Sequence, residues 1–177
     1  MSLLFVRAFL VPLFPSAMNH FRPIHKIFLL DGTLEDLIDE KNPQEFARHY
    51  FTELLEAIDM QPLAPMSVSP AADLKAPGFS GIQELTTSHT SFHYFWEPGI
   101  DDPHPNIHID LYSCAPFSYN DVIRIAHKHF RFQSWIANCI DRHLESSQRM
   151  TIQLTGTHDR ILHKTPLLLH SRQNALV

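Results

Sequence analysis

Gly78-Phe79-Ser80-Gly81-Ile82-Gln83-Glu84-Leu85-Thr86-Thr87-Ser88-His89-Thr90-Ser91-Phe92-His93 carries five Ser or Thr hydroxyls and two imidazoles in its last eight residues. Ile82, Leu85 and Phe92, with Tyr94 and Phe95 just beyond, stand among threonines and suit a pleated, half-buried surface. Strand is therefore expected on both flanks, with 86–95 read as extended. Surface hydroxyls normally gather in turns beside Gly, Asn or Pro, so extended structure this rich in nucleophiles is unusual. Next outward, Ile107-His108-Ile109-Asp110-Leu111-Tyr112-Ser113-Cys114 alternates strictly. Ile107, Ile109 and Leu111 point one way; His108, Asp110, Tyr112 and Cys114 point the other, so the polar face carries a thiol.

On the N-terminal side, His25-Lys26-Ile27-Phe28-Leu29-Leu30 reads as a strand ending at the turn signal Asp31-Gly32. Asn42-Pro43-Gln44-Glu45 opens a helix, with Asn as cap and Pro at the first helical position. Its apolar face runs through Phe46, Tyr50, Leu54, Ala57 and Ile58. Residues 61–77 hold four prolines and read as irregular, apart from an edge strand at Met66-Ser67-Val68. On the C-terminal side Ser118 caps a second helix with Val122, Ile125, Ala126 and Phe130 inward. The pattern leaves open whether that helix continues through Trp135 to Ile140. Arg149-Met150-Thr151-Ile152-Gln153-Leu154 alternates as a last strand, and the tail from Thr155 shows no clear period. The order strand, helix, strands, helix, strand predicts an α+β fold, with helices packed on one face of a mainly antiparallel sheet.

The 177 residues favour one domain with a full-sized core. Residues 1–20 read as an apolar extension, disordered or ahead of the natural start, and 21–177 as the domain. A net charge of −5 without a basic cluster argues against nucleic acid and an anionic membrane surface as partners. The first apolar run is too short and interrupted to span a bilayer. Two cysteines, Cys114 and Cys139, make no disulfide framework, which points to a reducing, cytoplasmic setting.

Five spacings then converge. Gly78-Phe79-Ser80-Gly81 is followed eight residues after Ser80 by Ser88-His89, and five further on by His93. Phe95-Trp96-Glu97 and Asp110-Leu111-Tyr112-Ser113-Cys114 close the set. In this the chain resembles the short bacterial S-adenosylmethionine decarboxylases, pyruvoyl enzymes that cut themselves at a serine. The resemblance implies a two-layer α/β sandwich, a homodimer of cleaved protomers, and cleavage between Thr87 and Ser88. It makes Ser88 the precursor of a covalent pyruvoyl group that forms a Schiff base with the substrate amine. His93 becomes the processing base, Ser80 a processing hydroxyl, Cys114 the proton donor and Glu97 a ligand of the substrate ribose.

The chain departs from that pattern at three motif positions and in a longer loop, Pro98 to His108, between Glu97 and Ile109. Thr87 stands where Glu is usual, Phe95-Trp96-Glu97 lacks the family's proline, and Leu74 occupies the position of an adenine-stacking aromatic. A relative acting on arginine or ornithine would keep the cleavage residues and lose the adenine clamp. An uncleaved regulatory or pairing subunit is a further alternative, but it would gain nothing from an intact Ser80, Ser88, His93 and Cys114.

Taken singly, each of these residues has an ordinary explanation: a strand serine, a half-buried histidine, a small apolar thiol. Thirteen histidines also invite a metal, since His89 and His93, and His104 and His108, are four apart. On a strand, however, that spacing separates side chains by about 13 Å, too far for one ion, and no metal is expected. A Ser-His-Asp hydrolase would place its serine on a glycine-flanked strand-to-helix turn, which Ser88 lacks. His127 and His129 read as solvated or as partial core fillers.

Overall fold

The chain, described by a computed structural model over residues 25–38, 41–71, 77–96, 104–142 and 150–168, forms eight strands and two helices. In order these are β1 (Lys26–Leu34), α1 (Pro43–Ala57), β2 (Ser67–Ala71), β3 (Gly78–Leu85), β4 (Ser88–Phe95), β5 (Asn106–Ser113), α2 (Tyr119–Phe130), β6 (Phe132–Asp141), β7 (Met150–Thr157) and β8 (Arg160–Leu168). All eight strands join one sheet in the order β2-β3-β4-β5-β1-β6-β7-β8, and every neighbouring pair is antiparallel. The α+β class is as expected. Among the described residues no helix is long and apolar enough to cross a membrane.

β1 lies inside the sheet between β5 and β6 because it offers hydrogen bonds to both sides and buries Phe28, Leu30 and Leu34 on one face. The turn expected at Asp31-Gly32 does not form: the strand continues to Leu34. Gly32 is there for space, since a Cβ would stand 3.1 Å from the Phe132 ring. A tight packing site and a turn use the same residue, and the sequence does not separate them.

The first helix is capped as expected: Asn42 accepts from the Glu45 N–H at 3.1 Å, and its amide donates to the Glu45 carboxylate at 3.0 Å. Its buried stripe is Ala47, Tyr50, Phe51, Leu54 and Leu55, turned slightly from the expected face, so that Phe46 and Ala57 are only partly covered. Phe92 of β4 sits at the centre of the core, with ring centroids of Phe46, Tyr50, Phe51, Phe79 and Phe130 between 5.3 and 6.3 Å away. Both helices thus reach the same strand. Truncating such a ring to alanine costs about 3–5 kcal/mol.

The question left open at Trp135 resolves to strand. α2 stops at Phe130 because Arg131 takes a left-handed conformation (φ 53°, ψ 66°). Ion pairs to Glu35 at 3.2 Å and Asp36 at 3.1 Å hold that residue in place of the usual glycine. The tail also contains a strand that the pattern does not reveal. β8 is an edge strand whose residues from Leu162 to Leu167 are exposed, so it carries no buried stripe to read. The edge strand expected at residues 66–68 exists, as β2 at the other end of the sheet.

Candidate active site

Between β3 and β4, Leu85 pairs with Ser88, which leaves Thr86-Thr87 as a two-residue turn where continuous strand is expected. Threonine favours strand, and the turn carries no Gly, Asn or Asp signal to give it away. Tight hairpins of this length prefer positive φ at the central residues, to match strand twist. Neither threonine adopts it; the positive φ, 155°, falls on Ser88 instead. In a residue with a Cβ, such backbone stores on the order of 1–3 kcal/mol. The peptide bond entering Ser88 is therefore at the tip of a hairpin and next to a strained residue.

The register of β4 with β5 then sets what faces that bond. Ser88 pairs with Ser113, so the next residue, Cys114, reaches the turn, and its N–H donates to the Thr87 carbonyl at 3.0 Å. A fixed N–H on that oxygen is the kind of donor that stabilises charge developing on it. The Thr87 hydroxyl donates to Met60 Sδ at 3.3 Å, and Ser88 Oγ lies 3.3 Å from His89 Nδ1. The Cys114 thiol is 3.7 Å from His25 Nδ1, the same nitrogen that lies 2.6 Å from Tyr112 Oη. The rings of His25 and Tyr112 stack at 6.0 Å, and His89 approaches Tyr112 at 5.9 Å. Burial, and then the charge of Cys114, push the Tyr112 phenol above its ordinary value. Both free cysteines are part-buried, and burial raises the Cys139 thiol.

Three of these neighbours escape the sequence reading. Tyr112 shares a strand face with Cys114, and His89 follows Ser88, so both were within reach of alternation and adjacency. His25 is 89 positions from Cys114, and only the β1–β5 ladder brings it there.

Ser80 and His93 are direct partners across β3 and β4, with Oγ and Nδ1 hydrogen-bonded at 2.7 Å. Their pair sits five residues along the ladder from Leu85–Ser88, about 17 Å at 3.4 Å per residue. A single chain thus unites Ser88 with Cys114, and Ser80 with His93, but keeps the two pairs apart. The second pair continues across the sheet, because His93 is opposite His108 and His108 opposite Asp31. His108 Nδ1 and Asp31 Oδ1 are 2.5 Å apart. Glu97, Leu74 and the extension at 1–20 lie outside the described residues.

The sequence model of one family, described as S-adenosylmethionine decarboxylase, matches residues 34–143, more than half of the chain. The chain belongs to the S-adenosylmethionine decarboxylase family. No curated protein matches it. The matched span contains Ser80, Ser88, His93, Glu97 and Cys114, and the S-adenosylmethionine decarboxylase family is one of pyruvoyl-dependent decarboxylases. The local chemistry fits a pyruvoyl group at residue 88. The serine is at a strained hairpin end, and the carbonyl before it has a fixed donor in the backbone N–H of Cys114.

Proposed function

We propose that this chain is a self-processing pyruvoyl-dependent decarboxylase of S-adenosylmethionine, whose product supplies aminopropyl groups for spermidine synthesis. The observation that most supports this reading is the 3.0 Å bond from the Cys114 N–H to the Thr87 carbonyl, which joins the bond to be cut with the proton-donating residue. In processing, Ser88 Oγ adds to the Thr87 carbonyl carbon while the Cys114 N–H takes up the charge on oxygen. The C–N bond breaks and leaves an ester. Loss of the α-proton of residue 88 expels the Thr87 carboxylate and leaves dehydroalanine, which water converts to the pyruvoyl group with release of ammonia. That group supplies an electron-accepting carbonyl for decarboxylation. Cys114 then delivers a proton from its thiol, and Glu97 holds the ribose hydroxyls.

Proton transfer needs contact of about 2.6–3.2 Å, and the Ser80–His93 pair is far beyond that from Ser88 of its own chain. The reading therefore assigns those two roles to a second copy, in a two-fold dimer of two-layer sandwiches. Exposed Ile82 and Ile136 on the sheet face away from the core are suited to such a contact.

The test is a denaturing gel with intact mass. Chains of 87 and 90 residues are expected from the 177, the latter blocked to N-terminal sequencing. A purified protein that stays whole, with residue 88 an ordinary serine, refutes the reading and leaves an uncleaved relative. Carbon dioxide release from S-adenosylmethionine, arginine and ornithine then decides the substrate; Leu74 in place of an aromatic is what favours the basic amino acids.

A further inference from the structure

His25 Nδ1 faces two proton-bearing groups, Tyr112 Oη at 2.6 Å and Cys114 Sγ at 3.7 Å, and one ring nitrogen serves only one of them at a time. The backbone holds all three in place. The His25 carbonyl accepts from the Arg142 N–H at 2.8 Å, Tyr112 is opposite Ile27, and Cys114 is tied to Thr87. Resting on the reading of Cys114 as proton donor, we infer that His25 is a positioning residue that governs the protonation of Cys114, with Tyr112 competing for the same nitrogen. When Cys114 spends its proton, its sulfur is left as a thiolate. A protonated His25 returns the Nδ1 proton to that sulfur, becomes neutral, and is recharged from water. While Nδ1 is engaged with the phenol, this exchange is held back. The other charged or titratable groups around the cluster are His89 from β4, Lys26 on β1, and Asp141 and Arg142 at the end of β6.

The test uses a Ser88→Ala, Cys139→Ser chain, which cannot be cut and keeps one thiol. Alkylation of Cys114 by iodoacetamide is followed by intact mass across the titration range of imidazole and thiol. The parent chain is expected to show two steps. His25→Gln should leave one step and lower the rate at neutral pH by roughly tenfold, because the sulfur loses its cationic neighbour. Tyr112→Phe, which frees the nitrogen for sulfur, should raise the rate. Opposite signs are not what loss of packing gives. An unchanged profile in His25→Gln, or a slower reaction in Tyr112→Phe, overturns the inference; if His25→Gln does not fold, Tyr112→Phe decides alone. The chain tested is uncut by design, so this result stands apart from whether the natural chain processes itself.

Discussion

If Ser80 and His93 act on the partner's Ser88, two defective chains should repair each other. Ser88→Ala lacks the attacking hydroxyl, and His93→Ala lacks the base; each alone should remain whole. Within one chain the base is about 17 Å along the ladder from Ser88, so no rotamer of His93 closes the gap to hydrogen-bonding distance. Co-expressed in equal amounts, a His93→Ala chain meets a Ser88→Ala partner in about half of its dimers, by random two-fold pairing. That dimer holds one complete set, the hydroxyl from one chain and the imidazole from the other. About half of the His93→Ala chains should then be cut, and none of the Ser88→Ala chains. With one of the two chains tagged, a denaturing gel reads both fractions. A mixture cut no more than the separate variants refutes the reasoning. His93→Ala cut alone at the normal rate does so too, and moves the base to His89, 3.3 Å from Ser88 Oγ.

Three further outcomes follow from particular contacts. Ser88→Gly and Ser88→Ala are both uncuttable, and the glycine chain should be the more stable by about 1 kcal/mol in urea, reversing the usual order in a strand, because φ of 155° suits glycine. Gly81→Ala puts a Cβ 2.5 Å from the Phe92 ring and 3.1 Å from Phe51, and should cost about 1–3 kcal/mol in thermal unfolding. Burial, the largest influence, holds the His127 pKa below its ordinary value, and neutral Nδ1 accepts the Phe132 N–H at 3.1 Å. Its contribution to stability is therefore complete above about pH 6.5 and is lost as the pH falls through the lowered folded value. His127→Gln should flatten that acid slope in melting temperature.

Much of this architecture is legible in the residues because burial imposes a period. Alternation in 107–114 assigns both faces of β5, and the caps at Asn42 and Ser118 mark where helices begin. What is not legible has local causes. Gly32 looks like a turn because a glycine that makes room for Phe132 has the same letter as one that bends the chain. Thr86-Thr87 looks like strand because its turn borrows its unusual backbone from Ser88. β8 has no inner face to betray it. For the site, spacing finds Ser80, Ser88, His93 and Cys114, yet spacing carries no register: that the two pairs stand apart, and that His25 joins the thiol, are properties of strand order alone.

Strand order also governs what becomes of the two products of a cut at Thr87. β1 belongs to the 87-residue piece, whereas both strands beside it, β5 and β6, belong to the 90-residue piece. The shorter polypeptide is thus threaded through the middle of the longer one's sheet. Parting them means tearing three ladders, β1–β5, β1–β6 and β3–β4, and opening the aromatic core, so the severed molecule should travel, melt and crystallise as one body.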